Sequence, residues 1–265
     1  MDFKFKENYD FYDLVNIMQI LRQPGGCPWD AEQTHKSIRR DFLEETYEAI
    51  EAIDTDNTEL LCEELGDVLL QVVFHAQMEA EKEQDGFTIA EVWDGICKKL
   101  IIRHPHVFSD VIAETPDKVL ENWDKIKMQT KDQSTYTEML DSVSHAMPSL
   151  MRAHKVQKKA AKLGFDWDNV SGAMQKLTEE TQELTEAINN GDADNCYEEL
   201  GDVLFSAVNV SRFIGVDPEQ SLSSSVDKFI GRFRIVEELA VSRGIDMKTA
   251  SLEELDALWD EAKKQ

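Results

Sequence analysis

The chain contains a pattern that occurs twice. Glu44-Glu45-Thr46-Tyr47-Glu48 returns as Glu179-Glu180-Thr181-Gln182-Glu183, and Glu63-Glu64-Leu65-Gly66-Asp67-Val68-Leu69 returns as Glu198-Glu199-Leu200-Gly201-Asp202-Val203-Leu204, both at an offset of 135 residues. One offset shared by two separated motifs points to a duplication, and a period this long rules out a solenoid of short repeats. The tails agree at slightly different spacing: Lys99 and Arg103 answer Lys228 and Arg232, and Trp123-Asp124 answers Trp259-Asp260. The expected organisation is a first unit over 1–130, a linker over 131–149 containing Ser, Thr and Met, and a second unit over 150–265.

Within each unit the apolar period is helical. Leu14, Ile17, Met18 and Leu21 fall at i, i+3, i+4 and i+7, as do Leu65, Val68, Leu69 and Val72. Strand-like alternation is scarce. Breakers stand where helices should stop: Pro24-Gly25-Gly26 and Pro28, then Asp54 to Asn57, Asp85-Gly86 and His104-Pro105 in the first unit. Gly164 to Asp168, Asn189-Asn190-Gly191-Asp192 and Gly215-Val216-Asp217-Pro218 do the same in the second. The predicted fold class is all-α, two tandem duplicated helical-bundle domains with four helices in each.

Charge narrows the function. Lysine and arginine number 28 against 53 aspartates and glutamates, a formal charge of -25, so stable binding to nucleic acid is not expected. No apolar run approaches the roughly 20 residues of a membrane span. The N-terminus Met1-Asp2-Phe3-Lys4-Phe5-Lys6-Glu7 has no secretory pattern, and the expectation is a cytoplasmic protein. Cys27, Cys62, Cys97 and Cys196 form no CxxC pair, so they read as reduced thiols, with Cys62 and Cys196 as helical packing residues.

The acids lie at ligand spacing. On one helix Glu44, Glu45 and Glu48 gather near one stripe, and Glu64 with Asp67 do so on the next. Bringing the two stripes together places four or five carboxylates in one spot, which repulsion forbids unless cations or protons intervene. Oxygen donors suit magnesium or manganese, one or two ions per unit, about 3.5 to 4 Å apart if two work as a clamp. Acids at helical spacing more often form a solvated face, but a solvated face has no reason to keep five acids at fixed offsets in two copies.

These motifs resemble the metal-binding signature of the all-helical nucleoside triphosphate pyrophosphohydrolases, and the whole chain resembles the MazG family in its two-domain form. Gly26-Cys27-Pro28-Trp29-Asp30, Glu32-Gln33-Thr34, the first acidic pair, His75 and Arg103-His104-Pro105-His106-Val107-Phe108 carry the resemblance in the first unit. Lys155-Val156-Gln157, Gly164-Phe165-Asp166-Trp167, the second acidic pair and Arg232-Phe233-Arg234 carry it in the second. The resemblance implies a homodimeric helical bundle that hydrolyses nucleoside and deoxynucleoside triphosphates to monophosphate and pyrophosphate with magnesium, over a broad range of bases.

On that reading Glu180, Glu183, Glu199 and Asp202 hold the ions, which bind phosphate oxygens and lower the pKa of a coordinated water. Glu45, Glu48, Glu64 and Asp67 are the corresponding ligands of the first unit. Glu179 serves as outer ligand or general base. Lys228 and Arg232, one turn apart, are candidates to meet the leaving charge, and Trp259 either stacks on a base or packs the end of the bundle. The copies differ: Lys176 stands where the first unit has Asp41, and Asn209, whose amide could hold a phosphate or sugar oxygen, where it has Phe74. The second unit is therefore expected to be the principal catalyst. A helical di-metal oxidase would want Glu-x-x-His pairs, which neither motif supplies. A non-enzymatic helical scaffold for protein partners would show no effect of magnesium on nucleotide binding.

Overall fold

The computed structural model describes residues 3–109 and 135–264, and 115, 118, 119 and 126 between them. The chain divides into two compact units, Met1–Lys131 and Asp132–Gln265. Both are helical, and no strand occurs among the described residues. The first half of the tail correspondence, Trp123-Asp124, lies outside the described residues.

The first unit runs through α1 (Phe11–Arg22), α2 (Pro28–Glu32), α3 (Arg39–Asp54), α4 (Thr58–Ala80), α5 (Ile89–Arg103) and α6 (Pro105–Phe108). α1 opens on a capping box in which the Asp10 carboxylate accepts from the Tyr12 and Asp13 amides while Asp13 accepts from the Asp10 amide, satisfying donors that a helix start leaves bare. Asn57 caps α4 through the Leu60 amide. The turn between α3 and α4 passes through Asp56 at φ 51°, a left-handed conformation that a short polar side chain tolerates. So short a connection folds α4 back along α3.

Met18, Ile38, Val73, Phe74 and Met78 form the core of this unit, with Leu14, Leu21, Leu70 and Ile89 packed around them. Each fully buried side chain of this size contributes roughly 1.5–3 kcal/mol. The predicted face of α1 is thus the buried one, whereas that of α4 is displaced, because Leu65 and Leu69 are exposed. The C-terminal half of α4 is apolar around most of its circumference, so period alone does not select the inward stripe. Cys62, expected to pack, is also exposed.

The second unit runs through α7 (Tyr136–Asp141), α8 (Ser149–Lys162), α9 (Val170–Asn190), α10 (Ala193–Phe213), α11 (Pro218–Arg243) and α12 (Leu252–Ala262). Gly191 closes α9 at φ 67°, where a side chain would be strained, and Asp192 caps α10 through the Asn195 amide. Val236, Ala240, Leu258 and Ala262 bury together where α12 lies along α11.

Four helices per unit was too few: α2, α6 and α7, of four to six residues, hold too few turns to show a period, and α12 is a separate helix with Leu255, Leu258, Trp259 and Ala262 at i, i+3, i+4 and i+7. Pro28 sits at the start of α2, and the boxes Thr135–Glu138 and Ser251–Glu254 start α7 and α12. α7 also lies inside the stretch expected as a linker, where the Lys159 ammonium donates to the Met139 carbonyl at 2.7 Å and to the Ser142 hydroxyl at 2.9 Å. No helix among the described residues is long and apolar enough to cross a membrane.

Candidate metal centre

Two helix pairs, α3 with α4 and α9 with α10, carry the repeated acids. In the first, carboxylate oxygens of Glu45, Glu48 and Glu64 lie within 4.8 Å of one another. Glu64 is buried at 8% exposure. Desolvation, then the charges of Glu48 and Asp67, push its carboxyl above the usual range. Glu45 is pushed up by desolvation and then by Asp67, Glu48 and Glu64. Asp67 therefore belongs to the electrostatic cluster although it stands outside the tightest triplet.

In the second pair the triplet is Glu180, Glu199 and Asp202, again within 4.8 Å. Here the buried acid is Glu180, on α9, at 4% exposure. A hydrogen bond with Glu180, followed by desolvation, raises the Glu183 carboxyl, and desolvation followed by the charges of Glu180 and Asp202 raises Glu199. Lys176 answers this repulsion from one turn before, its ammonium 2.5 Å from Glu180 and 2.9 Å from Glu179. Those two contacts, that to Glu180 first, hold the lysine above its ordinary range. The second cluster thus holds a tethered cation, Lys176, against its acids, one of the devices that allow like charges to sit together.

All donors are carboxylate oxygens, a set that fits a hard divalent cation such as magnesium or manganese and not a thiolate- or imidazole-loving metal. The raised carboxyls fit the same cation, since bringing it in removes the repulsion that raises them.

The structure gathers only part of the expected site. Glu179 is exposed and paired with Lys176 outside the triplet. Lys228 and Arg232 lie on α11, and no hydrogen bond or ion pair among the described residues links them to the acids. Trp259, on α12, packs against Phe229 at 5.1 Å and under the Arg232 guanidinium at 6.0 Å, beside the α11–α12 core.

Asn209 lies seven residues past Asp202 on α10, hence on nearly the same face. Its Oδ1 accepts from Arg212 Nε at 3.1 Å and from a terminal nitrogen at 2.9 Å, and Arg212 is also paired with Asp166 of the loop between α8 and α9. The sequence reading missed Arg212, since no periodic signal joins it to a residue so far back. In the first unit Phe74 takes the Asn209 position and is buried in the core. There Arg22, from α1, sits 5.3 Å over the Phe74 ring, pairs with Glu81 through two contacts of 2.8 Å and donates to the Gln33 carbonyl.

A family model described as the MazG nucleotide pyrophosphohydrolase domain matches residues 33–108 and again 169–236. Both carboxylate clusters fall inside the matched segments. The chain is 44% identical over 253 residues to the nucleoside triphosphate pyrophosphohydrolase/pyrophosphatase MazG of Thermotoga maritima, covering 96% of this chain and 95% of that one. It is 41% identical over 255 residues to the nucleoside triphosphate pyrophosphohydrolase of Escherichia coli K12, covering 95% and 96%. It is also 45% identical over 257 residues to the uncharacterized protein YabN of Bacillus subtilis, covering 97% of this chain and 52% of that one.

Proposed function

This chain belongs to the MazG nucleotide pyrophosphohydrolase family, and from that premise we propose that it is a cytoplasmic enzyme hydrolysing ribo- and deoxyribonucleoside triphosphates of broad base range to monophosphate and pyrophosphate. Magnesium, with manganese as a substitute, is its cofactor. The observation that supports this most directly is the pair of carboxylate triplets within 4.8 Å on adjacent helices, together with the names of relatives similar over nearly their full length.

Glu180, Glu183, Glu199 and Asp202 would hold the ions in the second unit, and Glu45, Glu48, Glu64 and Asp67 in the first. When bound, magnesium neutralises phosphate charge and makes water a better nucleophile. Glu179, outside the triplet, would serve as an outer ligand or take the proton of the water that attacks the α-phosphorus. The bond from the α-phosphorus to the bridging oxygen breaks, and pyrophosphate leaves with that oxygen. Lys176 offsets negative charge at the mouth of the cluster, Lys228 and Arg232 meet the phosphates from α11, and Trp259 borders the base.

The second unit is the principal catalyst on this reading. Its stripe continues from Asp202 to the polar Asn209, while the same stripe in the first unit runs into Phe74 and the core. The homodimer belongs to the same proposal: Leu43, Tyr47, Ile50, Leu65 and Leu69 leave an exposed apolar strip on α3 and α4, which a second bundle would cover.

The deciding experiment separates monophosphate, diphosphate, pyrophosphate and phosphate after incubating the full chain with a panel of triphosphates and magnesium. Monophosphate plus pyrophosphate, lost on Glu180→Gln with Glu183→Gln but retained on Glu45→Gln with Glu48→Gln, is expected. No turnover with magnesium or manganese would move the protein to the scaffold reading.

A further inference from the structure

The orientation of the Asn209 side chain is decided by its neighbour. An asparagine amide offers an acceptor at one end and two donors at the other, and which end faces where follows from its partners. An arginine can only donate. Two nitrogens of Arg212 converge on Asn209 at 3.1 and 2.9 Å, so the end facing Arg212 is Oδ1 and the Nδ2 donors point away from it.

Arg212 is itself fixed from three sides. Its side chain is only 14% exposed, a terminal nitrogen is paired with Asp166, and its guanidinium carbon lies 4.4 Å over the Phe213 ring. Asp166 is anchored in turn, since its Oδ1 accepts from the Trp167 amide at 2.9 Å. A planar fork held this way has little freedom to release the amide. Arg212 lies one turn beyond Asn209 on α10, and Asp202 two turns before it. No described residue accepts from Nδ2.

We infer that Arg212 is a positioning residue that sets the hydrogen-bond polarity of Asn209, so that the second site meets its nucleotide with an amide donor directed at a substrate oxygen. This inference rests on the pyrophosphohydrolase reading of the second unit. It goes beyond that reading by naming the residue that aims Asn209 and the chemistry Asn209 can recognise, an acceptor and not a donor. The first unit lacks the device, having Phe74 and Gln77 at the corresponding positions, with the Gln77 amide donating to Glu81 at 3.1 Å.

Asn209→Asp gives the discriminating test in the full-length protein. An aspartate keeps, and strengthens, the bonds to Arg212 but replaces the two donors by an acceptor. Steady-state hydrolysis of ATP with magnesium is expected to show KM raised about tenfold or more, the scale of one lost hydrogen bond plus a misplaced acceptor, with a smaller change in kcat and unchanged Tm. Arg212→Lys retains the charge beside Asp166 but not the fork, so the amide is free to turn; KM is expected to rise about three- to tenfold, and the double variant to be no worse than Asn209→Asp.

Inorganic tripolyphosphate, used as a competitive inhibitor, separates the sources of the oxygen. Inhibition weakened in step with KM assigns a phosphate oxygen, and inhibition unchanged assigns a sugar or base oxygen; either supports the donor role. An unchanged KM in Asn209→Asp would overturn it, because the amide would then merely satisfy the arginine. So would a fall in Tm, which would reveal a structural partner for Nδ2. A wild-type protein that releases no pyrophosphate overturns the underlying function instead, a failure visible before any variant is compared.

Discussion

Glu180 carries more of the second site than any neighbour, being buried at 4% exposure and in contact with both Lys176 and Glu183. Glu180→Gln is expected to lower kcat/KM by more than about a hundredfold, beyond what loss of an outer-shell partner costs, as measured by pyrophosphate release. In the first site Glu64 provides a pH test. Its folded-state pKa lies above the ordinary value of 4.5, so the folded protein binds more protons than the unfolded chain in the window above that value, and stability falls as pH rises through it. Glu64→Gln in EDTA should therefore raise Tm at pH 7 and leave it unchanged near pH 4, where both side chains are neutral; differential scanning calorimetry at the two pH values would show it. Excess magnesium should reverse the gain at pH 7, because the substituted amide is a poorer ligand. The residue types of both clusters were legible from spacing alone. Which acid is buried was not, because Glu64 on α4 and Glu180 on α9 occupy non-corresponding places in the repeat, and burial depends on packing the repeat does not encode.

At the level of helices, α4 and α10 follow the same motif until their stripes part at Phe74 and Asn209. Phe74 packs with Met18, Ile38, Val73 and Met78, so converting the first stripe by Phe74→Asn removes a core aromatic and buries an amide. A loss of about 3–5 kcal/mol in unfolding free energy by urea titration is expected, where a substitution confined to a substrate pocket would leave stability near that of the wild type. The helix stops were readable because Pro24, Gly191 and Gly215 act through their own backbone chemistry. The short helix α7 and the pairing of Arg212 with Asp166 were not, since the first holds too few turns to show a period and the second joins residues far apart in sequence. The exposed Leu65 and Leu69 mark the other limit: an apolar helix announces that it packs, and its neighbours decide on which side.

For the molecule as a whole, a formal charge of -25 makes every carboxylate cluster more expensive at low ionic strength. The homodimer reading predicts a light-scattering mass near twice 30.3 kDa, and a monomer at micromolar concentration would exclude it. The duplication itself was plain in the sequence, while the different ways its two halves are fastened were not. In the first, an arginine on α1 reaches across to Phe74, Glu81 and the loop carbonyl of Gln33; in the second, an arginine on α10 reaches back to Asp166. The same seam is thus closed from opposite sides. The two copies are therefore no longer interchangeable residue by residue: moving either arginine into the other half without its acidic partner would leave a cation unpaired beside the helix seam.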